Sequence, residues 1–168
     1  MGFQRCMQCL LLALSGLAVD GRAHQPQSER TAQEATDPQV QFDKFKKTLS
    51  NVTLVGRFTV TGQDDVAPKA EKYTIRSVKK TDHGDYWLFH TRIQYGDQDV
   101  TLPLPLEVKW AGGTPMITLT DLMIPGLGTF SARVVIHDNK YAGTWRHGDV
   151  GGHMFGNIVS RDAPRQDE

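Results

Sequence analysis

From Val52 onward the chain alternates apolar and polar side chains with a period of two, and short clusters of Gly, Asp, Asn and Pro separate the runs. A period of two sends successive side chains to opposite faces, so each run predicts a strand with one buried face. The first run sets Val52, Leu54, Phe58 and Val60 against Thr53, Arg57, Thr59 and Thr61, and Gly56 interrupts its apolar row where a bend is expected. Gln63 to Ala70 reads as a polar turn and Tyr73 to Val78 as a second strand. The turn Asp82-His83-Gly84-Asp85 leads into a third, Tyr86 to Tyr95, whose odd-numbered row carries Trp87, Phe89, Thr91, Ile93 and Tyr95. A fourth follows Gly96-Asp97-Gln98-Asp99, with Val100, Leu102, Leu104, Leu106, Val108 and Trp110 against Thr101, Pro103, Pro105, Glu107 and Lys109.

The two prolines bear on topology. Residues i and i+2 of a strand point their N–H groups to the same lateral side, so Pro103 and Pro105 strip one edge of ladder donors. The short turn makes the third strand the natural partner of the other edge. A splayed seam is therefore expected between the fourth strand and the fifth, which runs from Thr114 to Ile124 after Gly112-Gly113.

Beyond Pro125-Gly126-Leu127-Gly128, a sixth strand alternates Phe130, Ala132, Val134 and Ile136 with Ser131, Arg133, Val135 and His137. Asp138-Asn139 is a two-residue hairpin turn of the types that tolerate positive φ. It sets Ile136 opposite Tyr141, Val134 opposite Gly143, Ala132 opposite Trp145 and Phe130 opposite His147, small against large along one face. The eighth strand, His153 to Val159, can pair in two ways. A turn at Asp149-Val150 aligns Trp145 with Met154 and buries Met154 and Ile158, which is the expected register; one more turn residue sets His153 opposite His147.

Ahead of the strands the period is helical. Asp37 suits an N-cap, Pro38 the first helical position, and Phe42, Phe45 and Leu49 form one stripe, so a helix of about three turns is predicted as a lid for one end of the sheet. One helix and eight consecutive antiparallel strands, with no βαβ alternation, predict an all-β fold: an eight-stranded antiparallel up-and-down barrel with one N-terminal helix. A two-sheet sandwich is the competing architecture.

With these strands and Gly143-Thr144-Trp145 in view, the chain resembles the lipocalin-like (calycin) β-barrels, and also a set of uncharacterised exported bacterial proteins. The resemblance spans Val52 to Val159 as topology, and it implies carriage of a small molecule. In lipocalins the Gly-x-Trp lies on the first strand, whereas here it lies on the seventh, so binding residues do not carry over by position.

Composition narrows the class. Lys plus Arg and Asp plus Glu are each 19, without long runs of one sign, so no footprint for nucleic acid is present. Residues 1–23 read as a secretory signal peptide: Arg5, an apolar run from Leu10 to Val19, then Gly21-Arg22-Ala23. The run is about half the ~20 residues a membrane span needs, so an exported protein with no transmembrane span in the mature chain is expected. Cleavage would remove both cysteines, Cys6 and Cys9, leaving a core without disulfides. Residues 24–37 read as a flexible linker, 38–160 as the helix-plus-barrel domain and 161–168 as a disordered tail.

The inward rows offer Trp87, Phe89, Trp110, Phe130, Tyr141 and Trp145 as walls of a binding pocket for an apolar or amphipathic ligand, although the same side chains can simply fill a core. His147, Asp149 and His153 on the glycine-rich hairpin are a candidate metal set, with haem through one of the histidines as a variant. No Gly-x-Ser-x-Gly, no mature Cys and no coupled Ser are present for nucleophilic catalysis, and Asp and Glu read as turn and outward residues, which removes paired-carboxylate chemistry. No cofactor is predicted. The expectation is a non-enzymatic carrier, with a filled-barrel interaction protein of the cell envelope as the alternative; its protein partner is not named by the sequence.

Overall fold

The computed structural model describes residues 37–162. The expectations for residues 1–23, for most of the linker and for the last six residues of the tail lie outside them. Helix α1 (Pro38–Leu49) leads into β1 (Val52–Phe58), β2 (Lys69–Lys80), β3 (Tyr86–Tyr95), β4 (Gln98–Ala111), β5 (Thr114–Ile124), β6 (Gly128–His137), β7 (Lys140–His147) and β8 (Val150–Ser160). Each strand pairs antiparallel with the next, and β8 pairs back on β1, closing an up-and-down barrel. The sandwich alternative is thereby removed. Among the described residues no helix is long and apolar enough to cross a membrane.

Helix α1 starts as its sequence dictates. The Asp37 carboxylate accepts from the Gln39 N–H at 2.8 Å, with Pro38 just inside the helix. Phe45 and Leu49 are buried at one end of the barrel, where Phe42 and Phe45 meet the Trp87 indole edge-on at 5.4 and 4.9 Å. Both also pack on Trp110, at 5.9 and 5.7 Å. The helix is a plug, and the turns at residues 81–85, 112–113 and 138–139 surround it.

The β6–β7 register is the one set by Asp138-Asn139, whose φ values are 47° and 52°. The β7–β8 register is not the expected one. The turn is Gly148-Asp149, with Gly148 at φ 59°, so Trp145 faces Gly152 and Gly143 faces Met154. A glycine at the first turn position takes the left-handed backbone that a two-residue hairpin needs, and this draws the turn one residue earlier. The shift is two residues, an even number, so Met154 and Ile158 stay buried. At the far terminus, Arg161 donates its N–H to the Asn51 carbonyl at 3.1 Å and Asp162 accepts from the Asn51 amide at 2.6 Å, so the tail begins later than expected.

The expected seam is present. β4 pairs β3 over ten residues, from Gln98 to Glu107, but pairs β5 only from Glu107 to Ala111. The Val108 N–H bonds on the β3 side, to Asp85, while the Glu107 carbonyl receives Thr118 from the β5 side. Odd-numbered positions of β4 therefore face β5, and the ladder stops where Pro105 and Pro103 would have to donate.

Candidate functional site

Between the helix plug and the far end lies a cavity of about 150 Å³ with an almost wholly apolar lining. Its walls come from inward rows around the barrel: Leu54, Ile75, Phe89, Ile93, Leu104, Ile117, Val134 and Met154, with Tyr73 and Tyr141 on one side and Phe130 and Trp145 toward the far end. Four of the six proposed wall residues, Phe89, Phe130, Tyr141 and Trp145, line it. Trp87 and Trp110 do not: they are taken up by α1, because the phenylalanine stripe of the helix needs an aromatic floor to bury against.

The far end carries partly buried aromatic side chains in edge contact. Phe58 meets Tyr95 at 6.3 Å and Trp145 at 5.6 Å, and the Trp145 indole N–H donates to the Thr59 carbonyl at 3.1 Å, which fixes the ring. Phe130 stacks on His147, with ring centroids 4.4 Å apart.

The metal set is not assembled. His147 belongs to the row of Trp145 and stacks on Phe130, whereas His153 pairs with Thr144 on the outward row. The two imidazoles therefore leave opposite faces of the sheet, as an odd separation on paired strands requires. Asp149 is in the exposed turn, and among the described residues no three His, Cys, Asp or Glu side chains are grouped to hold a metal ion.

One polar group was missed by the outward reading of the acidic residues: Glu71 is buried, 5% exposed, on the inward row of β2. Its two carboxylate oxygens accept from the hydroxyls of Tyr141 and Tyr73, each at 2.8 Å. Tyr141 reaches it from β7 by crossing β8 and β1 above Gly156 and Gly56. A Cβ at Gly156 would sit 2.7 Å from the Tyr141 ring, and one at Gly56 would collide with the Tyr141 hydroxyl and the Phe155 carbonyl. The glycines thus form a trench for the tyrosine, and Gly56 serves close approach rather than a bend. Burial raises the Glu71 carboxyl above its ordinary value, with the two tyrosine hydrogen bonds opposing the rise. Burial and the charge of Glu71 push both phenols up. All three groups spend their polar atoms on one another, which leaves the cavity side of the tyrosines carbon-faced.

The signal for Glu71 was present in the sequence: extending the period of two back from Tyr73 places residue 71 on the inward row. A β-bulge after Ile75, where the register skips Arg76, then lets Ile75 and Val78 both point inward. The closed eight-stranded antiparallel barrel implied by the lipocalin resemblance is thus present. Compared with known proteins, the chain matches no family model, no curated protein and no solved structure.

Proposed function

We propose that the barrel binds a small apolar molecule, or the apolar part of an amphipathic one, in its interior and without converting it. The observation that carries this is the carbon-lined cavity of about 150 Å³, left behind the helix plug although neighbouring Leu, Ile and Phe side chains are well packed. An apolar cavity of roughly 150 Å³ lined by Leu, Ile and Phe stays dry and takes benzene. The ligand class is therefore one small ring or short aliphatic group, well short of a porphyrin, so the haem variant loses its support. The exported location expected from residues 1–23 belongs to the same proposal.

The test is a benzene titration followed by the methyl NMR signals of Ile75, Ile117 and Val134, read beside native mass spectrometry of protein purified from its own source. Saturable shifts at those cavity-lining methyls, or a small added mass released on denaturation, are expected. No response at saturating benzene and a bare native mass would sink the carrier. The interaction-protein alternative would then stand, favoured by Val55, Phe155 and Val159, which are about half exposed on the outer face of β1 and β8.

A further inference from the structure

Resting on that reading, we infer that the ligand enters sideways, through the seam between β4 and β5. At one end of the barrel α1 lies over Trp87 and Trp110, and at the other the partly buried Phe58, Tyr95 and Trp145 narrow the opening with edge-to-face contacts. The side wall is complete except where β4 leaves β5.

The gap is specified from both strands. On β4, Pro103 and Pro105 offer no N–H where the ladder would continue beyond Glu107 and Thr118. On β5, the pairing with β6 skips from Leu119 to Leu122, and Asp121 takes a left-handed φ of 47°. The bulge begins just beyond the last β4–β5 pair, and side chains from β6 and β7 hold it in place. The Arg133 guanidinium donates to the Leu119 carbonyl and, at 2.9 Å, to the Thr120 hydroxyl. Ser131 and Arg146 hold the Asp121 carboxylate at 2.9 and 3.0 Å. The Leu119 carbonyl and the Asp121 N–H at the bulge are thus bonded by side chains of β6, so the bulge is held without any contribution from β4.

What lies behind the gap fits a passage for an apolar molecule. Leu104 from β4 and Leu119 from β5 line the cavity on either side of it. Leu102, Leu119 and Leu122, although on inward rows, are only partly buried. Side chains cross the opening without a hydrogen-bonded backbone, and rotamer changes of these leucines occur far faster than breaking a strand ladder. A ligand passing between the strands here desolvates against leucine.

Thr101 on β4 and Met123 on β5 are both exposed on the stretches of these strands that do not pair with each other, and neither specifies the gap. A chain with Cys6 and Cys9 replaced by serine and carrying T101C and M123C can be stapled across the seam with a reducible bismaleimide, and benzene exchange measured by NMR relaxation dispersion. The entry rate should fall at least tenfold on stapling, with Kd little changed, and recover on reduction of the linker. An unchanged rate in the stapled protein would overturn the side entrance while leaving the carrier intact. Failure of benzene to bind even the unstapled protein would instead remove the carrier reading, and the entrance with it. Hydrogen exchange gives a ligand-independent check: β5 amides of residues 119–124 that point toward β4 should exchange far faster than those pointing toward β6, and equal protection would also overturn the proposal.

Discussion

The wall formed by β8, β1 and β2 and the wall formed by β4 and β5 solve the same problem, closing a twisted sheet on itself, in opposite ways. In the first, strands are paired end to end, β1 with β2 and with β8 over its whole length, and Tyr141 spans the glycine trench to bond Glu71 on the far side. In the second, pairing stops at Glu107 and Thr118, before two prolines and a bulge, and beyond that point the strands face each other through apolar side chains that include Leu102, Leu104 and Leu119. The contrast teaches that barrel closure here is not uniform: one wall is fixed by hydrogen bonds and close backbone contact, the other by apolar contact that can yield.

The largest expected effect compares one leucine from each wall. Leu54→Ala, at a position 5% exposed, should cost about 3 kcal/mol, whereas Leu102→Ala, only partly buried beside the seam, should cost about 1 kcal/mol. Urea melts of both variants check this, and equal costs would mean that the seam is as tightly packed as the opposite wall. Next comes the trench. Gly156→Ala puts a methyl 2.6 Å from the Gly56 Cα and 2.7 Å from the Tyr141 ring, where backbone must move, so a loss of about 2–3 kcal/mol is expected by thermal melting.

How far these walls were legible beforehand follows from what each one uses. The seam could be read because proline acts through the backbone: a missing N–H at positions 103 and 105 has the same consequence in any strand. The β6–β7 pairing could be read because Asp138-Asn139 leaves one turn available. At the other end of β7 the run Gly148 to Gly152 offers several turns to the backbone, and the burial of Met154 and Ile158 is the same in registers that differ by two residues, so it could not choose between them. The Tyr141 to Glu71 contact spans 70 positions and depends on glycines whose only contribution is the absence of a side chain, a quantity that local pattern does not record. The candidate site divides along the same line. An inward row identifies wall residues, but whether an aromatic faces the cavity or the helix depends on where α1 docks, and this took Trp87 and Trp110 out of the lining.

A smaller loss tests the hydrogen bond rather than the trench. Tyr141→Phe keeps the ring in its groove and deletes one donor to a buried carboxylate, so it should cost roughly 1.5–3 kcal/mol, toward the lower end because Tyr73 still holds the other oxygen. A loss below about 0.5 kcal/mol in chemical denaturation would show that the trench packing, and not the bond to Glu71, fixes this wall.

The subtlest test is the charge state of Glu71. Its carboxyl is raised in the folded barrel because burial disfavours the anion more than the two phenol donors favour it. The fold therefore prefers the protonated acid. That contribution is fully present below the ordinary carboxyl value of 4.5 and is lost as pH rises through the raised one. Glu71→Gln removes the titration while retaining an acceptor for one tyrosine and a donor that the other hydroxyl can accept. The two proteins should thus be closest in stability near pH 4, and the variant should gain on the wild type as pH climbs toward 7. Urea midpoints measured for both across that range check the sign. A gap that widened the other way, with the wild type gaining at pH 7, would mean that the ionised carboxylate is the favoured form and that the tyrosine donors outweigh its burial. The closed wall would then be held by a charge-assisted clasp, with no electrostatic cost for the glycine trench and the carbon-faced cavity to offset.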